Sequence, residues 1–179
     1  MTSSKWWFRS GRRAALFVVA AATAVASMVG MLAPTAASAA TRTYSLSVVA
    51  RDFQFLGVPS RLPAGTANVR FRNISRSEFH EFIAVNLGPA CAGFTRDQAI
   101  AEITKAGQAE DPIAAAQEDC PGLTFAGAAF APPGGSDRET YDFQPGRVLY
   151  FCSIPDENGT PHFDLGMIGF INVFSVPGR

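Results

Sequence analysis

His80, Cys152, His162 and Met167 are the side chains of this protein best suited to hold a soft metal ion together. His80 and His162 are its only histidines, and Met167 is the only methionine beyond residue 31. Cys152 is one of three cysteines and closes an apolar run, Val148-Leu149-Tyr150-Phe151-Cys152, well away from the other two. Two imidazoles and a thiolate with a weak axial thioether form the donor set of a type 1 copper centre. Thiolate and thioether suit Cu(I), imidazole suits both oxidation states, and a geometry between the two preferences reduces the rearrangement that electron transfer requires. Singly, each residue has an ordinary role as a buried thiol, a hydrogen-bonded strand histidine, a core methionine or a surface-loop histidine. Jointly they use up every imidazole and thioether beyond the N-terminal stretch, which favours a shared metal.

Such donors must be positioned by strands and turns. Tyr44, Leu46 and Val48 alternate with polar neighbours, and Ala67, Val69 and Phe71 alternate with Asn68, Arg70 and Arg72, the period of two that marks half-buried strands. Residues 79–87, 138–143, 148–154 and 168–176 read the same way, with turns at Pro63-Ala64-Gly65 and Pro145-Gly146. Six or more short strands separated by turn signals predict an all-β sandwich. The middle of the chain differs. Thr95 and Gln98 make a capping-box pattern, Ile100, Ile103 and Ala106 share a helical face, and Gly107 is the stop. Asp111-Pro112 starts a second helix running through Ala116. Residues 88–135 are therefore expected to be a helical insertion, with the Ala/Pro/Gly-rich residues 126–136 as the linker back to the sandwich. Cys91 and Cys120 bracket the helices and are expected to form a disulfide, leaving Cys152 free; closing that loop would contribute about 3–4 kcal/mol in the chain-entropy account.

The N-terminus reads as an export signal. Lys5, Arg9, Arg12 and Arg13 precede an uncharged apolar run from Ala14 to Leu32, and Ala37-Ser38-Ala39 supplies the small residues read by a signal peptidase. Cleavage is expected after Ala39 or Ala40, leaving no membrane span and one domain over residues 40–179. Arg12-Arg13 is a weak match to a twin-arginine signal. Removing four basic residues and no acidic one leaves a mildly acidic protein with no basic patch, which argues against nucleic acid as a partner.

A family resemblance joins these observations. The run ending in Cys152, followed by Pro161-His162-Phe163-Asp164-Leu165-Gly166-Met167, resembles the C-terminal copper loop of plastocyanin- and azurin-like cupredoxins. Asn73-Ile74-Ser75-Arg76-Ser77-Glu78-Phe79-His80 is similar to the asparagine-bearing turn that delivers their other histidine. Two departures stand out. Nine residues separate Cys152 from His162, more than in plastocyanins, and Asn158-Gly159 offers a turn that folds the excess back. Glu81 stands where many cupredoxins carry an asparagine that braces the cysteine loop. The resemblance implies a Greek-key sandwich holding one type 1 copper, with His80, Cys152 and His162 as equatorial ligands and Met167 as the axial one. It further implies a monomeric, secreted or periplasmic electron carrier serving a redox partner protein, with a docking patch around Pro161 and Phe163. A copper carrier or store, or a metal-free binding module of the same fold, would use the same frame. Two histidines cannot supply a trinuclear oxidase cluster and one loop cysteine cannot supply a dinuclear site, so an enzyme is not expected.

Overall fold

The computed structural model describes residues 42–176, so the expected signal segment and its cleavage site lie outside the described residues. Among the described residues nine strands form two sheets: β1 (Thr43–Arg51), β2 (Gln54–Leu56), β3 (Arg61–Pro63), β4 (Gly65–Asn73), β5 (His80–Asn86), β6 (Thr124–Ala131), β7 (Ser136–Phe143), β8 (Gly146–Phe151) and β9 (Ile168–Phe174). One sheet has the order β2-β1-β4-β7 and the other β3-β9-β8-β5-β6. β1 runs parallel to β4, and β3 parallel to β9, while the remaining neighbours are antiparallel. This is the cupredoxin-like sandwich that the sequence predicts.

The alternating residues face inward as their period requires. Leu46, Val48 and Ala50 of β1, Ala67, Val69 and Phe71 of β4, and Tyr141 and Phe143 of β7 meet Phe82, Ala84, Ala129, Val148, Ile171 and Val173 of the opposite sheet in one buried cluster. Tyr141 ties the layers together, because its hydroxyl donates to the Phe82 carbonyl on β5. Its ring lies against β6 at Gly127, where an added Cβ would come within 2.6 Å of a ring carbon. The ring thus occupies the place a side chain would take.

Helix α1 (Arg96–Ala106) begins with the expected capping box, Thr95 and Gln98 each satisfying the other's backbone N–H, and ends at Gly107. Helix α2 (Pro112–Asp119) starts on the Asp111 side chain, which accepts from the Ala114 N–H. Cys91 and Cys120 are bonded and Cys152 is free. The insertion is shorter than expected. Residues 124–131 are not part of it or of a linker but form β6, which pairs with β5 at the sheet edge. Alanine and glycine have little strand propensity, and a register shift between Ala84 and Val85 puts both Ala126 and Gly127 inward, hiding the alternation. The short strands β2 and β3 also escape the sequence pattern. No helix among the described residues is long and apolar enough to cross a membrane.

The inter-sheet bond has a measurable share in stability. Tyr141→Phe keeps the ring packing and leaves the Phe82 carbonyl without this donor, so urea unfolding should show a loss of about 1–2 kcal/mol with an unchanged m-value.

Candidate metal centre

His80 is the first residue of β5, and the loop before it is built on Asn73, the last residue of β4. Asn73 is fully buried. Its Oδ1 accepts from the Ser75 N–H at 2.9 Å, and its Nδ2 donates to the Glu78 carbonyl at 2.7 Å and the Ala131 carbonyl at 3.0 Å. One amide side chain therefore fixes the turn and fastens it to the end of β6. Cys152 follows β8, whose last pair with β5 is Phe151 opposite Ile83, so the pairing brings the cysteine to the end of the sheet where β5 starts with His80.

The long loop after Cys152 folds back where Asn158-Gly159 predicts. Gly159 takes φ +85, a conformation that favours glycine, and its N–H donates to the Asp156 carbonyl at 3.1 Å. Asp156 Oδ1 accepts from the Asn158 and Thr160 N–H groups at 2.9 and 2.8 Å, and the Thr160 bond above all holds this carboxyl below its usual range. Pro155 bridges to Pro161, and the His162 N–H donates to the Ile154 carbonyl at 2.9 Å. The extra residues form a small hairpin that starts and ends at the site. Two further bonds close the loop: Met167 N–H to the His162 carbonyl at 2.9 Å, and Cys152 N–H to the Met167 carbonyl at 3.0 Å.

All four candidate donors are fully buried. His80 Nδ1 and His162 Nδ1 lie 3.1 Å apart, Cys152 Sγ lies 3.4 Å from His162 Nδ1, and the ligand atoms of the three residues are all within 4.8 Å of one another. Atoms about 2.0–2.3 Å from a common metal, the range of metal–nitrogen and metal–sulfur bonds, are separated by roughly such distances. Without a metal the arrangement is costly, since neither buried Nε2 has a hydrogen-bond partner and the two Nδ1 atoms can share only one proton between them. The electrostatics agree. Burial, with the neighbouring His162 as the next cause, lowers His80 to about 4, and burial also lowers His162, against the pull of Glu78 and Asp156. Burial and then the Glu81 carboxylate push the Cys152 thiol up to about 12. At neutral pH the pocket holds two neutral imidazoles and a thiol.

Glu81 braces the cysteine loop in place of asparagine. Its N–H donates to Cys152 Sγ at 3.4 Å, and its Oε1 accepts from both the N–H and the hydroxyl of Ser153. Three neighbours had no sequence signal. Phe53 packs edge-on to His162 with ring centroids 4.9 Å apart, delivered by a β1–β2 turn in which Asp52 and Phe53 both take positive φ without glycine. Glu78 Oε2 lies 3.6 Å from His162 Nε2. Arg96, at the start of α1, donates to the Phe163 carbonyl at 3.1 Å. The expected docking patch is corrected in one respect: Phe163 is buried against Phe151, and the exposed apolar side chain of this loop is Leu165.

The two-sheet sandwich is cupredoxin-like, and it brings His80, Cys152 and His162 together with Met167 buried and bonded through its backbone to Cys152 and His162. No family profile and no curated protein matches the sequence. Among solved structures, auracyanin B is 25% identical, with 75% of this chain and 89% of that one covered at a TM-score of 0.47. Auracyanin A, a "blue" copper protein from Chloroflexus aurantiacus, is 21% identical, with 74% and 99% covered at 0.48. Rusticyanin from Thiobacillus ferrooxidans is 19% identical, with 72% and 77% covered at 0.40.

The protonation pattern sets how metal uptake depends on pH. Both imidazoles are already neutral at pH 7, so copper binding should release about one proton, from Cys152, as read by calorimetry in buffers of different ionisation enthalpy. From neutral pH up to the Cys152 value near 12, apparent affinity should rise about tenfold per pH unit. Release of two or more protons at pH 7 would mean that the histidines are charged in the metal-free protein.

Proposed function

We propose that this protein is an exported type 1 copper protein that carries single electrons between redox partner proteins, with His80, Cys152, His162 and Met167 as the copper ligands. The convergence of two Nδ1 atoms and one Sγ in a fully buried pocket carries the reading. Bound there, copper supplies a one-electron couple between Cu(II) and Cu(I). The chain does the rest. His80 and His162 present neutral nitrogens, which either oxidation state accepts. Cys152 presents a sulfur that also accepts the Glu81 N–H, a bond that draws electron density from it. Met167, buried on the same loop and bonded through its backbone to both Cys152 and His162, offers the weak fourth donor.

Burial of every donor favours electron carriage over catalysis, because a catalytic metal keeps a position open to substrate or water. The ring of backbone bonds through Ile154, His162, Met167 and Cys152 favours a retained metal over one handed on as cargo. Export is supported by the charged, apolar and A-x-A segments of residues 1–39 and by the Cys91–Cys120 disulfide, which suits an oxidising compartment. A monomer with one copper per chain, in the periplasm or outside the cell, completes the proposal.

Copper-loaded protein should be blue, from an intense thiolate-to-Cu(II) charge-transfer band in the visible spectrum. Cys152→Ser should abolish the band, and Met167→Leu should keep it and raise the potential, because losing the axial thioether destabilises Cu(II) more than Cu(I). A colourless copper complex, or an unchanged spectrum in Cys152→Ser, would refute the type 1 assignment.

A further inference from the structure

His162 has two ends with different surroundings. Its Nδ1 faces His80 Nδ1 at 3.1 Å and Cys152 Sγ at 3.4 Å, the metal side of the ring. Its Nε2 is buried without a hydrogen-bond partner, and the charged atom facing it is Glu78 Oε2 at 3.6 Å. Closing that gap to a hydrogen bond of about 2.7–3.2 Å takes a shift of roughly half an ångström. Glu78 is held for the purpose. Its N–H donates to Ser75 Oγ at 3.2 Å, its carbonyl accepts from Asn73 Nδ2 at 2.7 Å, and its Oε1 accepts from Ser77 Oγ at 3.3 Å, which leaves Oε2 for the imidazole. Asp156, the other nearby acid, engages both oxygens with Asn158 and Thr160 within its own turn.

We infer that Glu78 is a positioning residue for His162: its carboxylate takes the Nε2–H, leaves Nδ1 bare toward the metal, and by its charge favours oxidised over reduced copper. The inference deepens the copper reading, and its effect on potential rests on that reading. The orientation effect does not, because it is already set in the metal-free protein. Of two neutral imidazoles with Nδ1 atoms 3.1 Å apart, one must donate and the other accept. With the His162 proton held on Nε2 by Glu78, His80 carries its proton on Nδ1 and donates it to His162. A carboxylate behind a ligating imidazole fixes the tautomer and raises the basicity of the ligand nitrogen. An anion beside the site also stabilises the higher charge of Cu(II).

Glu78→Gln keeps an acceptor of similar size and removes the charge, whereas Glu78→Ala removes both. Long-range nitrogen–proton NMR of the metal-free wild type should find His162 protonated on Nε2 and His80 on Nδ1. The Glu78→Gln variant should preserve that pattern and the Glu78→Ala variant should lose it. With copper bound, Glu78→Gln should shift the balance toward Cu(I) about tenfold, a rise of about 59 mV for one electron. A wild-type His162 protonated on Nδ1, or a Glu78→Gln potential equal to wild type, would overturn the inference, and if Glu78→Ala does not fold, Glu78→Gln decides it alone. A wild type without the blue band sinks the type 1 reading, while the metal-free NMR result still judges the placement by Glu78.

Discussion

The contact on which the site depends is the meeting of two neutral imidazole nitrogens, 3.1 Å apart, beside a thiol in an interior closed to water. The site around it is unfavourable without a metal, because both Nε2 atoms are buried without a hydrogen-bond partner and solvent cannot supply one. It persists because the flanking backbone is held from both sides. Asn73 fastens the loop that delivers His80, and the hairpin around Asp156 returns the chain so that His162 meets the Ile154 carbonyl. Register between β5 and β8 supplies the common floor. The cost of burying these donors is offset when a cation sits among them, which is why the donor geometry and the chemistry of the set point the same way.

The disulfide-bonded insertion belongs to the same support. The Arg147 guanidinium lies 3.7 Å from the centroid of the Phe170 ring and donates to the carbonyls of Ala92 and Phe94, pinning the start of the insertion to β8 and β9. Arg96 is the first residue of α1, where the helix dipole disfavours a positive charge. Its bond to the Phe163 carbonyl gives that charge a use and holds the ligand loop from outside.

Much of this arrangement was legible in the sequence because its signals are local. Period-two alternation marked β1 and β4, the Thr95–Gln98 pair marked the start of α1, Asn158-Gly159 marked the fold-back, and the positions of Cys91 and Cys120 around the helices suggested their pairing. What stayed hidden depends on partners far along the chain. β6 is a strand because β5 and the Tyr141 ring accept small residues there, and a bulge scrambles its alternation. Phe53 and Glu78 reach His162 only through tertiary packing, from a turn without a glycine and a loop without a distinctive pattern. Phe163 looked like a surface residue because its neighbours in sequence are polar or small, yet the loop turns it inward against Phe151.

X-ray absorption at the copper edge of the loaded protein tests the central claim most directly, since it counts and ranges the atoms bound to the metal. The account predicts two nitrogen neighbours at about 2.0 Å and one short sulfur neighbour at no more than about 2.3 Å, with the sulfur absent in Cys152→Ser. A shell of nitrogen and oxygen atoms alone in the wild-type protein would contradict it.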